Sequence, residues 1–193
     1  MPAASQTEEN ADVIVFQGGE PLLHDGLAAS LSAAKKRGAR TVVQTNGRLL
    51  PTLLPRLCEA GLDGVDVSLH GSTVAMHDLH TQTPGSFEET CSGIRAAVAS
   101  GIEVGTTTVV TRSNMRHLAE ILTLSHSLGA RAAHLVGVMP HGRALSNALA
   151  LVPHAELLAP QLARAKSTAD ALGLRLVLGS PSDPLFAGLG AVA

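Results

Sequence analysis

Glu20 follows two glycines and precedes a proline just past the apolar run Val13 to Gln17, which places a carboxylate at the mouth of a strand. Gly18 and Gly19 leave the backbone bare enough for a ligand to come close, and a carboxylate there can accept charge-assisted hydrogen bonds from an ammonium group. Pro21, with its φ preset, suits the first position of a following helix. The same tetrapeptide also fits a plain strand-to-helix turn with an acidic start, so its neighbours must decide.

Those neighbours repeat the pattern. Gln44, Thr45, Asn46 and Gly47 follow the run Thr41 to Thr45, and Ser68, Leu69, His70 and Gly71 follow Gly64 to Leu69. Thr106 and Thr108 share one face of a strand over Ile102 to Val110, because strand side chains alternate with period two. Val138, Met139, Pro140, His141, Gly142 and Arg143 close the run Ala132 to Met139. Any one of these polar residues is ordinary turn chemistry; their joint recurrence at successive strand ends carries the information.

The elements that must position them alternate. Short β-branched runs, the last being Leu174 to Leu178, are separated by longer amphipathic stretches, and the order β, α repeats about five times. Several runs are apolar on both faces, as in a parallel sheet with both sides covered. Leu23, Leu27, Leu31 and Ala34 form a helical stripe closed by Lys35, Lys36, Arg37 and Gly38. Pro51 to Ala60 stops at Gly61. Ser86 with Glu89 predicts a capping box ahead of the stripe Phe87, Cys91, Ile94 and Val98, and Leu118, Ile121, Leu122 and Leu128 form another stripe before Gly129. A final helix over about His154 to Leu172 contains Pro160, which either kinks it or starts its main body. Alternating βα units demand right-handed crossovers and a parallel sheet, in an open doubly wound form or a barrel. In both, ligands sit outside the carboxyl ends of the strands.

The 193 residues, 45% of them hydrophobic, suffice for one domain: a polar tail over 1–12, a barrel-type body over 13–180 and a C-terminal tail over 181–193. With 14 basic and 16 acidic residues the formal charge is −2, which gives no basic footprint for nucleic acid or an anionic membrane. No Trp, no Tyr and three Phe leave no stacking platform for bases. No apolar run approaches the roughly 20 residues of a membrane span, and MPAASQTEEN has no signal-peptide character, so the cytoplasm is expected. Cys58 and Cys91 match no metal-ligand spacing and are expected to be buried on helical stripes.

GGEPLL, TNG, VSLHGS, PGSFEET, VVTRSN and VMPHGRA, in this order and spacing from about Val13 to Arg143, resemble radical S-adenosylmethionine (radical SAM) enzymes, particularly those that modify peptides. The resemblance implies an α/β fold, a partial TIM-type (β/α)6 barrel of parallel strands, here with the first βα unit missing. It also implies S-adenosylmethionine bound against a [4Fe–4S] cluster and cleaved reductively to a 5′-deoxyadenosyl radical that abstracts hydrogen. Gly18, Gly19, Glu20 and Pro21 would contact the methionine amino group, Thr45 would sit near its carboxylate and Ser68 near the ribose. Asn46 and His70 would belong to the same rim, Thr106 and Thr108 would line the cavity, and the main chain near Val138 would edge the adenine. A small-molecule or peptide substrate and an electron donor are the implied partners. The pattern departs from the family at one point: no Cys-x-x-x-Cys-x-x-Cys precedes Val13, although cluster iron calls for soft thiolate ligands. A fragment of a longer enzyme, a start set too late and a degenerate paralogue each account for that.

Two rivals remain at this level. His70, His77, His80 and His141 could converge as Zn²⁺ ligands of a barrel hydrolase or isomerase, with an Asp or Glu such as Asp66 completing the site. Against this, His77 and His80 fit a solvated helix face and His134 a satisfied strand position. The second rival is a non-catalytic binding module on a degenerate barrel.

Overall fold

A computed structural model describes residues 13–138 and 151–179. Six strands alternate with helices: β1 Val13–Phe16, α1 Leu27–Lys36, β2 Arg40–Thr45, α2 Leu50–Glu59, β3 Gly64–Ser68, α3 Val74–Thr81, α4 Ser86–Ala99, β4 Glu103–Val109, α5 Leu118–Ser127, β5 Ala132–Val136, α6 Ala155–Leu172 and β6 Arg175–Leu178. Every pairing is parallel, and the strands lie in the sheet in chain order. An order that never reverses has no switch point of the doubly wound kind, and crossovers of one hand then put all helices on one side of the sheet. This is the wall of a (β/α)6 partial barrel.

The cores confirm the one-sided arrangement. Val43, Val65, Val67 and Val104 pack with Leu31, Leu50, Leu54 and Ile94 from α1, α2 and α4. Ala133 and Leu135 pack with Leu118, Leu122, Leu158, Leu162 and Ala165 from α5 and α6. All the strand residues named have the helix-facing parity, and burying each large aliphatic side chain contributes about 1.5–3 kcal/mol. The opposite parity, Val15, Gln44, Asp66, Ser68, Thr107 and His134, is partly exposed for all but Thr107. The expectation that both faces are covered therefore fails among the described residues: this second face is the concave side and carries polar groups. At the edge, β1 pairs only with β2 among the described residues, and Val13 and Val15 are exposed.

Local differences have local causes. Leu23 is exposed in a separate 3-10 turn, Pro21–Leu23, and does not join the α1 stripe. The capping box at Ser86 is not formed, because Gly85 is the cap position and Asp78 of α3 caps α4 instead. Asp78 accepts the N–H groups of Gly85 and Phe87 at 2.6 and 2.8 Å and the Ser86 hydroxyl at 3.0 Å. Desolvation pushes the Asp78 carboxyl upward, and these donors outweigh it, leaving it below the usual carboxylate range. Pro160 lies inside α6, which continues through it from Ala155 to Leu172. No helix among the described residues is long and apolar enough to cross a membrane. The tails 1–12 and 181–193, and Met139 to Arg143 with His141, lie outside the described residues.

Candidate functional site

At the end of β1 the chain turns through Gly18 and Gly19 with φ of 108° and 47°, and nothing comes within 4 Å of where a Cβ would stand on either. Left-handed backbone of this kind favours glycine, and here it leaves the peptide groups open. Glu20 fixes the loop from behind. Its Oε1 accepts the Thr45 hydroxyl at 2.6 Å and the Leu22 N–H at 3.1 Å, and its Oε2 accepts the Asn46 N–H at 2.8 Å. One carboxylate thus ties the rim of β1 to the rim of β2. Thr45 is buried, and its oxygen also accepts the Gly47 N–H. Pro21 starts the 3-10 turn and is buried.

Beside this clamp lies a cleft of about 260 Å³ lined by Asn46, Arg48, Ser68, His70, His77, Thr81, Thr83, Ser86 and Thr90. Helix α4 is pressed against the β2 rim: Thr90 donates to the Asn46 carbonyl at 2.9 Å, and a Cβ on Gly93 would meet the Gly47 carbonyl oxygen at 2.0 Å. Arg48 is ion-paired with Glu89 at the opening. His70 stacks on His80 with ring centroids 4.7 Å apart and on His77 at 5.9 Å, and Phe87 meets His77 edge-on. The Nδ1 atoms of His77 and His70 accept the N–H groups of His70 and Val109, so both rings are neutral with their proton on Nε2. Burial, then the neighbouring His80 and His77, pushes His70 down to about 3. Burial pushes His77 down to about 4, with Asp78 opposing and His80 assisting.

His77 is 1% exposed, which corrects the expectation of a solvated helix face for it. The three rings stack and do not converge, and among the described residues no group of three His, Cys, Asp or Glu side chains is arranged to hold a metal ion. The zinc reading loses its geometry there.

On β4 the structure separates the threonines by parity. Thr106 donates to Ser125 of α5 at 2.9 Å and Thr108 to the Leu69 carbonyl at 2.6 Å, both buried on the helix side. Neither reaches the concave face. Thr107 does, where it donates to Asp66. Val138 follows β5, half-buried. The structure therefore brings Gly18, Gly19, Glu20, Pro21, Thr45, Asn46, Ser68 and His70 to one rim and leaves Thr106 and Thr108 behind it. Sequence reasoning missed Gln44, Thr107 and His134 as concave-face residues. The alternation Gly64, Asp66, Ser68 was the available signal, since the register pairs Ser68 with Thr107.

A [4Fe–4S] cluster does not fit the thiols present. Cys58 is exposed on α2, against the expectation that it packs, and Cys91 is buried on α4 with its thiol pushed up by burial. Neither lines the cleft.

The model of the radical SAM superfamily matches residues 3–125. The chain is 33% identical over 133 residues to an AdoMet-dependent heme synthase of Nitratidesulfovibrio vulgaris, covering 68% of this chain and 36% of the relative. It is 30% identical over 173 residues to a pre-heme d1 synthase of Dinoroseobacter shibae, covering 86% and 43%. The chain thus spans less than half the length of these relatives. Among solved structures, Streptococcus suis SuiB bound to S-adenosylmethionine superposes with a TM-score of 0.69 at 12% identity, over 90% of this chain and 39% of that one. anSMEcpe with bound AdoMet and the Kp18Cys peptide gives 0.67 at 17% identity, over 86% and 49%.

Proposed function

Because this chain belongs to the radical SAM superfamily, we propose that it forms the S-adenosylmethionine-binding wall of a radical enzyme barrel, with the ligand on the carboxyl-terminal rim of β1 to β3. The observation that carries the reading is the Glu20 clamp, which holds the open peptide groups of Gly18 and Gly19 beside Asn46, itself a wall of the cleft shared with Ser68. In this reading the main chain of Gly18 to Pro21 receives the methionine ammonium group. Thr45 and Asn46 stand on the carboxylate side, Ser68 and His70 on the ribose side, and the main chain near Val138 at the adenine. The Glu20 carboxylate already has three internal donors, so its part is to hold the loop in shape.

When bound, S-adenosylmethionine supplies the radical chemistry that takes hydrogen from a substrate; the residues here bind and orient it. No step is assigned to a cluster, which Cys58 and Cys91 do not hold. The substrate side of the proposal is a small molecule or a peptide, in line with the peptide-bound structures of SuiB with SuiA and of anSMEcpe. An electron donor is proposed as a further partner.

Calorimetric titration of the full chain with S-adenosylmethionine tests the reading. Saturable binding is expected, weakened in Glu20→Ala by about 1–3 kcal/mol, the scale of a lost charged hydrogen bond. Binding that is absent, or that Glu20→Ala leaves unchanged, refutes it.

A further inference from the structure

His77 of α3 carries a donor that the fold does not use. Its ring is buried, with 1% of the residue exposed, and its Nδ1 accepts the His70 N–H at 3.2 Å, so the ring proton sits on Nε2. Among the described residues that Nε2–H group has no acceptor. The described side-chain atoms that are both fully enclosed and without a partner are Asp66 Oδ1 and Glu120 Oε2. His77 Nε2 is not one of them, so it meets open space, and the space His77 borders is the cleft of about 260 Å³. A buried polar group normally has a partner, and here the partner must come from the cleft.

The hydroxyl residues lining the same cleft present the opposite chemistry. Thr90 gives its proton to the Asn46 carbonyl at 2.9 Å, Thr83 to the Thr81 carbonyl at 3.2 Å and Ser86 to the Asp78 carboxylate at 3.0 Å. The Thr81 and Ser86 oxygens are 2.7 Å apart, and since the Ser86 proton is already committed, Thr81 is the donor of that pair. A hydroxyl has one proton and two lone pairs, so toward a ligand these oxygens can only accept.

Charge narrows the choice. Arg48 at the opening is paired with Glu89, and the Asp78 carboxylate lies behind Ser86, so these three sum to −1. An anion would meet that charge and the hydroxyl lone pairs with no uncommitted arginine or lysine on the cleft wall. An ammonium group would leave the His77 N–H unmet. A neutral carboxamide offers a carbonyl oxygen to the first group and N–H donors to the second.

We propose that this cleft binds the neutral carboxamide group of a second ligand, its carbonyl accepting from His77 Nε2–H and its N–H groups donating to the hydroxyl oxygens of Thr81, Thr83 and Thr90. None of these contacts is one assigned above to S-adenosylmethionine, so the site goes beyond that reading and is tested without it.

Nitrogen-15 spectra of the histidine rings in the full chain, at about pH 8 where free imidazole is neutral, test this with acetamide, sodium acetate and ethylene glycol as probes. The His77 Nε2 resonance is expected to respond to acetamide at about tenfold lower concentration than to either of the others, a difference of about 1.4 kcal/mol. In His77→Asn the acetamide response, read on the backbone amides of Ser86 and Thr90, should weaken at least fivefold. Thr83→Val keeps the side-chain shape and removes one acceptor, so the amide spectrum should stay native and the preference for acetamide over acetate should shrink. The acetamide response should persist at saturating S-adenosylmethionine. An acetamide response no stronger than that to acetate or ethylene glycol, a His77 resonance that acetamide leaves unmoved, an undiminished preference in a natively folded Thr83→Val, or displacement of acetamide by S-adenosylmethionine overturns the proposal.

Discussion

Acidification from about pH 8 to about pH 5 should destabilise this protein through His77 by about 2 kcal/mol. Burial holds the His77 ring down to about 4, against 6.5 for a free imidazole. The folded-state pKa therefore lies below the unfolded one, and between the two the unfolded chain binds more protons. Stability is full above about pH 6.5 and falls as the pH drops toward 4. At pH 5 the unfolded ring gains RT ln(1 + 10^1.5), about 2 kcal/mol, while the folded ring gains almost nothing. The limit below pH 4 is about 3.4 kcal/mol, from 2.5 pKa units at 1.36 kcal/mol each. His70, held down to about 3, adds in the same direction. The assay is urea denaturation at the two pH values for the native chain and for His77→Asn, whose Oδ1 can still accept the His70 N–H that Nδ1 accepts now. The variant should lose about 2 kcal/mol of the pH dependence. An equal pH dependence in both proteins would refute the buried neutral ring.

Gly93→Ala should cost roughly 1–3 kcal/mol or more in denaturant unfolding, because its methyl would meet a backbone carbonyl and not a yielding side chain. Undiminished stability would mean that α4 does not press on the Gly47 loop as described. For the thiols, Cys58 should react quickly with a water-soluble disulfide reagent in the native chain and Cys91 only on unfolding, since one is exposed and the other is buried with its thiol pushed up. Two fast thiols, or none, would contradict the placement of α2 and α4.

All six strands were legible because each is a short β-branched run bounded by turn residues, and a parallel sheet follows from their alternation with helices. The choice of barrel wall over doubly wound sheet came from the family resemblance alone and not from the pattern of elements, since strand order is a property of the folded chain. The parity error at Thr106 and Thr108 has a related cause. Three successive threonines carry no alternation of their own, and only the pairing of Ser68 with Thr107 shows which one faces the concavity. Glu20 was legible as a rim carboxylate, but its engagement by Thr45 and Asn46 depends on two strands meeting. Ser86 and Glu89 satisfied a local capping pattern that lost to Asp78, a competitor supplied by the preceding helix. His77 and His80 read as polar surface because the sequence does not show that Phe87 and His70 pack over them.

The Asp78 cap has a consequence for how the chain assembles. The carboxylate that ends one helix's work begins the next, so α3 and α4 are two halves of a single local structure whose closing contact spans only a few residues of sequence. Contacts of such short separation form early and cheaply in entropy. Amide protons of Gly85 and Phe87 should then exchange together, as members of one opening unit, and ahead of the strand amides that only complete sheet assembly protects.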